Sequence, residues 1–438
     1  MSNKKRKLGS WFPTASLIKS QKINDDEAKA ISILLFYQYV TPKWSAIKTK
    51  EAINFLETIA IQLNLGGRLR VAEEGINATI TGTFNSTRNF INELKNFDNN
   101  FNQTDFKFID NMPLDRHFKD MKVLPVKELV YYGINNEYNN NNLDTNCGTH
   151  LSPKEFHEKL ASNNNDTVVL DVRNAYESEI GRFGGQEAQG GANLIRIPMR
   201  KSTDFPKWLN DNETKKTLEN KKILMYCTGG VRCERASALL AQEMGNKVQE
   251  ICQLEGGIEK YLQTYDVDGG FWQGQNFVFD KREACDYKNP AGVGGVIVKK
   301  DKDKNKNNKK EKKKNKKNKN NNSNDKKDVE VLSNCVACNS PFDRYLGKKK
   351  CYYCQVPVIL CENCLSKKVD KDAPQLLKCY LCKIENNVIA AGDILITDNG
   401  INSSYNNNNS SSSSSRDGVA STVCKWGGGH SKKKMKQQ

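Results

Sequence analysis

Two residues with complementary chemistry stand five positions apart. Cys227 and Arg232 lie in the stretch KILMYCTGGVRCERASALLAQEMG, Lys222 to Gly245, separated by Thr228, Gly229, Gly230 and Val231. The apolar run Ile223 to Tyr226 predicts a buried strand before the cysteine. Ala236, Leu239, Leu240 and Met244, at helical spacing, predict a helix after it. The cysteine is thus offered at the carboxyl end of a strand, in a glycine-bearing loop that closes onto a helix N-terminus. Backbone N–H groups of such a loop can converge on one point, and the helix dipole adds partial positive charge there. Both favour thiolate over thiol, so Cys227 is expected to be a nucleophile of lowered pKa. Arg232 adds fixed positive charge at the end of the loop. Cys233, in the first helical turn, reads as a packed small residue or as a thiol that resolves an oxidised or persulfidated Cys227. The bland alternative for Cys227 is a structural cysteine beside a glycine turn.

Loop length separates two chemistries. Cysteine phosphatases place five residues between Cys and Arg, which makes room for a tetrahedral phosphate. Four intervene here, and the smaller ring suits a sulfur atom carried on the cysteine. The segment resembles a rhodanese active-site loop.

A second set of cysteines has metal-ligand spacing. Cys335/Cys338, Cys351/Cys354, Cys361/Cys364 and Cys379/Cys382 are four consecutive CxxC pairs. Eight thiolates suffice for two tetrahedral Zn2+ sites, and each CxxC turn lets two sulfurs face one ion. A segment this short needs such staples to hold a fold. Redox dithiols are the rival reading. Spacing alone leaves open whether the pairs share ions sequentially or cross-braced.

The elements that must position these groups follow from the rest of the chain. Its 438 residues have room for two to four domains. No apolar run approaches a membrane span, and MSNKKRKLGS lacks the apolar core of a signal peptide. The expected location is cytoplasmic; Lys4-Lys5-Arg6-Lys7 is a weak nuclear-import match. In such a compartment the 14 cysteines are expected as thiols or metal ligands rather than disulfides. Of the net charge of +17, +11 sits in residues 299–327, where fifteen Lys face Asp301, Asp303, Glu311 and Asp325. This run reads as a disordered tether that holds RNA non-specifically or serves as a solvated spacer.

Composition and periodicity divide the chain as follows: 1–27 polar and loose; 28–134 a first domain; 150–298 a second; 299–328 the tether; 329–390 the cysteine module, zinc-ribbon-like; 391–438 a low-complexity tail in which Cys424 and His430 stand alone. The first domain begins with the β-rich run Ile31–Val40. A helical pattern through Ala52, Phe55, Leu56, Ile59 and Leu63 follows. Then come two short alternations about Glu73-Glu74-Gly75, a helix over Thr87–Phe97, and strands at Phe106–Ile109 and Val123–Val130. The order β-α-β-β-α-β suggests a ferredoxin-like, or acylphosphatase-like, sandwich. Its hairpin carries Arg68 and Asn77, either turn-makers or RNA contacts. The second domain opens with a helix capped by Ser152, Pro153 and Glu155, and continues as strand–helix alternation, an α/β pattern with a parallel sheet. Asp171 and Arg173 end the strand Thr167–Val172 on the same sheet edge as Cys227. Asp171 reads better as a loop-bracing acceptor than as a proton carrier.

Several separated motifs carry a wider resemblance: DVRNAYESEIGRF, CTGGVRCERASALL, LEGGI and GFWQGQNFVFDKR, together with GRLRVAEEGINATITG. Over roughly residues 30–285 the chain resembles the bacterial tRNA uridine hydroxylase family of rhodanese-domain proteins. It is also similar to the eukaryotic thiosulfate sulfurtransferase/rhodanese-like domain-containing proteins. The resemblance implies hydroxylation at C5 of a tRNA wobble uridine, with molecular oxygen as co-substrate and the essential cysteine at Cys227. One departure stands at Ser202-Thr203-Asp204-Phe205-Pro206, where bacterial members tend to show Phe-Arg-Glu-Phe-Pro; the missing Arg puts that substrate contact in doubt. No nucleotide-cofactor motif is present. Arg232 and Arg282 are placed to approach an anticodon-loop phosphate. The alternatives are a sulfurtransferase holding a persulfide on Cys227, and a non-catalytic scaffold whose zinc module binds protein partners. The expected partner is tRNA, with no membrane.

Deleting residues 299–327 is expected to weaken binding to all RNAs alike and to flatten its salt dependence, because a lysine run neutralises phosphates without reading bases. A salt titration with two unrelated tRNAs checks this; an unchanged slope makes the run a spacer.

Overall fold

The structure is a computed structural model. It describes residues 15–23, 29–134, 148–162, 166–184, 192–265, 270–278, 284–285 and 331–391. The Lys4–Lys7 patch, the tether, the tail with Cys424 and His430, and Arg282 lie outside the described residues.

The first unit is built on strands β2 (Ile31–Tyr39), β3 (Gly66–Ala72), β4 (Gly75–Gly82) and β5 (Lys107–Met112), with helices α1 (Ala46–Gln62) and α2 (Phe84–Phe97). The sheet order runs β3-β4-β2-β5, the ferredoxin-like arrangement. Ser45 and Thr83 cap the helices with side-chain oxygens that accept N–H groups of the first turn. Beyond β3 the sheet gains β6 (Asp120–Pro125), parallel to β3, and β1 (Ser16–Lys19), antiparallel to β6. The strand β1 corrects the expectation that residues 1–27 are loose throughout. Its four residues, Ser-Leu-Ile-Lys, carry no period-2 alternation to reveal it, but β6 presents an edge whose backbone groups it pairs.

Alternation decides what this sheet shows to each side. Leu34, Phe36, Leu69, Val71, Ile76, Ala78 and Ile80 face the helices and form the core. The register puts the residues between them in rows on the other face. Lys122, Arg68, Thr79, Leu35 and Lys107 make one row across five strands; Arg70, Asn77 and Tyr37 make the next. No helix of the first unit covers this face.

The second unit has a five-stranded parallel sheet: β10 (Asn193–Arg196), β8 (Thr167–Asp171), β11 (Lys222–Tyr226), β12 (Glu250–Leu254) and β7 (Thr149–Leu151), in that order. Two apolar layers flank it. The capping box of Ser152 and Glu155 is formed as the sequence indicates. Val130, Tyr132 and Ile134, assigned from sequence to the first domain, pack in the core of the second. The strand β6 ends at Pro125, and the apolar residues after it turn onto the neighbouring unit.

A buried ion pair joins the two units. Glu74, at the tip of the β3–β4 hairpin, takes Arg235 of the helix Val231–Met244 and also accepts the N–H of Leu129 at 2.6 Å. Both side chains are almost fully buried. Burial pushes the Glu74 carboxyl up, against the pull of Arg235. Glu74→Gln removes the carboxylate nearest to the Arg235 guanidinium, with that of Glu128 more distant at 3.8 Å. It is expected to cost about 3 kcal/mol. Urea unfolding of Glu74→Gln, and of the double variant with Arg235→Met, checks this: the double variant should recover part of the loss.

Candidate active site

Cys227 leaves the carboxyl end of β11, the middle strand of the parallel sheet, and the chain enters helix α7 (Val231–Met244) four residues later. Gly230 is the N-cap, with φ +100°, which lets the loop fold back on its own sulfur. Its N–H donates to Cys227 Sγ at 3.1 Å. The loop carbonyls are held from outside by helix α8 (Gly257–Thr264): Ile258 N–H donates to Cys227 O at 3.0 Å and Glu259 N–H to Thr228 O at 3.1 Å. A Cβ on Gly257 would lie 2.6 Å from each of those carbonyl oxygens, so the LEGGI turn needs glycine there.

The electrostatics follow from this geometry. Burial by itself pushes the Cys227 thiol up. The Cys233 thiol, the Arg232 charge and the N–H groups of Arg232 and Cys233 outweigh it, bringing Cys227 down to about 5. Cys233 moves the other way, raised by burial and by its hydrogen bond to Cys227, so it stays a protonated donor. A thiolate at Cys227 and a thiol at Cys233 are one arrangement.

Arg232 is placed differently from the sequence expectation. Its terminal nitrogens donate to both oxygens of Glu177, at 2.7 and 2.9 Å, and one reaches Thr228 Oγ1 at 3.0 Å. The guanidinium is committed to a buried carboxylate, so it braces the loop and is not held out as an anion contact. Glu177 sits in the short helix α4 (Ala175–Glu179) and also accepts the Asn174 N–H at 3.0 Å. Asp171 is a brace as well: it takes Arg173 at 2.8 and 2.7 Å and the Tyr226 hydroxyl at 2.7 Å.

The first unit and the segment that follows it close over the loop. Tyr37 Oη donates to Glu234 at 3.0 Å and lies 2.7 Å from where a Cβ on Gly230 would be. Tyr132 Oη donates to Arg232 O at 3.0 Å, and Lys107 Nζ donates to Gly229 O at 3.1 Å. Between the units lies a cavity of about 1000 Å³. Its walls include Arg68, Arg70, Asn77 and Lys122 on one side and Thr228, Gly229, Val231 and Arg232 on the other. Cys227 is fully buried beneath that floor. The two RNA candidates and the cysteine loop, 150 or more residues apart in sequence, therefore share one space.

The cysteine module resolves the pairing that spacing leaves open. Cys335, Cys338, Cys361 and Cys364 form one group, and Cys351, Cys354, Cys379 and Cys382 the other, with ligand atoms within 4.8 Å of one another in each. The pairs interleave, first with third and second with fourth. The Cys338–Cys361 and Cys354–Cys379 sulfurs are 3.6 and 3.5 Å apart, well beyond a disulfide bond. Backbone N–H groups of Cys361 and Cys379 point at Cys335 and Cys351 sulfurs. Four convergent sulfurs with N–H donors behind them suit a soft tetrahedral cation. The module packs on α4: Tyr345 Oη donates to Tyr176 O at 2.5 Å, Ala175 joins the module's apolar cluster, and Arg200 pairs with Glu385 at 2.8 Å.

Sequence reasoning passed over Tyr37, Lys107, Tyr132 and Glu177. The Asn-x-x-Glu pattern of a capping box at Asn174–Glu177 was a usable signal. The others occupy outward strand positions or a loop and carry no local signature.

A cysteine loop of this length on a parallel sheet, roofed by a ferredoxin-like sheet, defines a rhodanese-domain protein with an N-terminal acylphosphatase-like unit. The UPF0176 acylphosphatase like domain family matches residues 31–129, and the Rhodanese-like domain family matches residues 152–264. The chain is 39% identical over 251 residues to a tRNA uridine(34) hydroxylase of Oceanobacillus iheyensis, covering 57% of this chain and 70% of that one. It is 36% identical over 277 residues to a tRNA uridine(34) hydroxylase of Streptococcus sanguinis, covering 63% and 76%. The chain belongs to the tRNA uridine(34) hydroxylase family. Rhodanese-like domain-containing protein 6 of Arabidopsis thaliana is 29% identical over 377 residues, 83% of this chain, and the match spans about half (54%) of that plant protein's length. Among the described residues no helix is long and apolar enough to cross a membrane.

The interleaving makes a sharp expectation. Elemental analysis should find two metal ions per chain. Cys338→Ser with Cys364→Ser should lose one ion, whereas Cys338→Ser with Cys379→Ser should lose both, since the latter pair spans the two groups.

Proposed function

We propose that the chain hydroxylates C5 of a tRNA wobble uridine, with Cys227 as nucleophile. The observation that carries this reading is the shared cavity. A face with Arg68, Arg70, Asn77 and Lys122 opens onto the cysteine loop, which suits a phosphate backbone entering beside a reactive sulfur. The names of the bacterial relatives agree with it.

In this mechanism the Cys227 thiolate adds to uracil C6, forming an Sγ–C6 bond and moving the C5–C6 electron pair towards the C4 oxygen. C5 becomes nucleophilic and takes up an oxygen atom. Loss of the C5 proton expels the thiolate and restores the ring. Molecular oxygen is the co-substrate the family implies; one atom then goes to C5, and a two-electron donor takes the other to water. The sulfur is fully buried, so a conformational change precedes its contact with uracil. Arg68 and Asn77 bind the RNA, Arg232 and Glu177 hold the loop, and Asp171, Arg173 and Cys233 support it. Outside the described residues, Arg282 is assigned a supporting place on sequence grounds alone.

Both cysteine groups hold Zn2+ in a structural role, and the module stiffens α4 behind the site. The protein acts in the cytoplasm. A sulfurtransferase acting through the same cysteine is not favoured, since that chemistry has no use for the basic roof.

Cys227→Ser nearly conserves volume and removes the nucleophile. It is expected to abolish 5-hydroxyuridine formation while leaving the melting temperature unchanged. Mass spectrometry of tRNA nucleosides from a deletion strain carrying each form checks this. The wild-type rate should fall as pH drops through about 5, where the thiolate is protonated. Retention of the nucleoside in the Ser variant removes Cys227 from the chemistry; loss of a thiolated nucleoside instead transfers the reading to sulfur transfer.

A further inference from the structure

Lys107 belongs to the first unit, on β5, yet its ammonium group ends inside the second. Nζ donates to Gly256 O at 2.7 Å and to Gly229 O at 3.1 Å, with Asp105 Oδ2 at 3.8 Å. The side chain is largely buried, 12% exposed.

The two ends of one peptide plane make this contact consequential. The carbonyl of Gly229 and the N–H of Gly230 belong to the same peptide unit. Its oxygen accepts from Lys107 and its N–H donates to Cys227 Sγ at 3.1 Å. A cation at the oxygen end fixes the plane's orientation and polarises it, so that the positive end of the dipole is driven towards the sulfur. Flanking glycines make this restraint necessary, because nothing in their own side chains resists rotation of that plane. Gly256, the other acceptor, opens the turn into α8, whose first N–H groups hold the carbonyls of Cys227 and Thr228. A single ammonium thus secures both supports of the loop.

We infer that Lys107 is a positioning residue for the Cys227 nucleophile, acting across the domain boundary through the Gly229–Gly230 peptide. The inference rests on the reading of Cys227 as a reactive thiolate. It gives the first unit a part in the chemistry beyond holding RNA: without it, the rhodanese loop lacks a cation on its glycine carbonyls. Other charged or titratable groups facing Cys227 are Arg232 and Cys233 on α7, Tyr37 from β2 and Tyr132 from the segment between the units. Tyr37 and Tyr132 are held protonated by burial.

The test is the titration of the Cys227 sulfur in the full-length protein. Ultraviolet thiolate absorbance is followed against pH as the difference between each protein and its Cys227→Ser counterpart, which needs neither RNA nor turnover. Lys107→Met keeps the length of the side chain and removes the cation. Its inflection is expected about one pH unit above wild type, a tenfold smaller thiolate fraction below the inflection. Lys107→Arg, which restores charge and donors, should bring the inflection back towards wild type. An unchanged inflection in Lys107→Met overturns the inference and leaves the Cys227 reading intact, as does an Arg variant that behaves like Met. A wild-type inflection at the ordinary thiol value of about 8.5 overturns the reading of Cys227 itself, and the inference with it.

Discussion

A negatively charged sulfur removed from water is unstable unless partial and full positive charges surround it. Much of this chain is disposed to meet that condition at Cys227. The rhodanese loop supplies the Gly230 N–H directly, at 3.1 Å. The helix α7 adds its N-terminus, and Arg232 adds a full charge whose own burial is compensated by Glu177. Tyr37 of the first domain and Tyr132 of the connecting segment donate to Glu234 and to the Arg232 carbonyl beside the loop, and Lys107 of the first domain donates to the Gly229 carbonyl. The site is therefore built by the assembled domains rather than by the loop alone.

The compensation extends outward in layers. Glu177 holds Arg232 only while α4 keeps its place, and α4 has just five residues. A helix that short has little stability of its own. The cysteine module supplies what is missing, with Tyr345 bonded to the carbonyl of Tyr176 and Ala175 enclosed among the module's apolar side chains. On the opposite side, the Glu74–Arg235 pair fixes α7 against the β3–β4 hairpin. The loop is clamped between the cysteine module and a sheet, neither of which is part of the rhodanese domain.

How much of this could be read from the chain depended on whether the signal was local. The strand before Cys227, the helix after it, the capping box at Ser152 and the β-α-β-β-α-β order rest on periodicity and caps within short windows. The strand β1 and the inward turn at Val130 were missed because partners distant in sequence decide them. Ser16–Lys19 becomes a strand only because β6 offers an edge. Arg232 is the most instructive case. Its position beside the loop was legible, but its use was not, since the carboxylate that claims it lies 55 residues away. The same limit hid Lys107, which lies 122 residues from the carbonyl it contacts. In the cysteine module the number of ligands could be counted, while their grouping needed three dimensions.

That grouping constrains how the module comes into being. With first and third pairs in one group and second and fourth in the other, each group encloses half of the other's ligand loop. Synthesis must pass Cys382 before the second group has all four sulfurs. A nascent chain arrested at Cys364 holds one complete ligand set with Cys351 and Cys354 looped out between its halves, awaiting partners. The first group can close once Cys364 has been made and the second only once Cys382 has, so the module is assembled in two steps around one interlocked core.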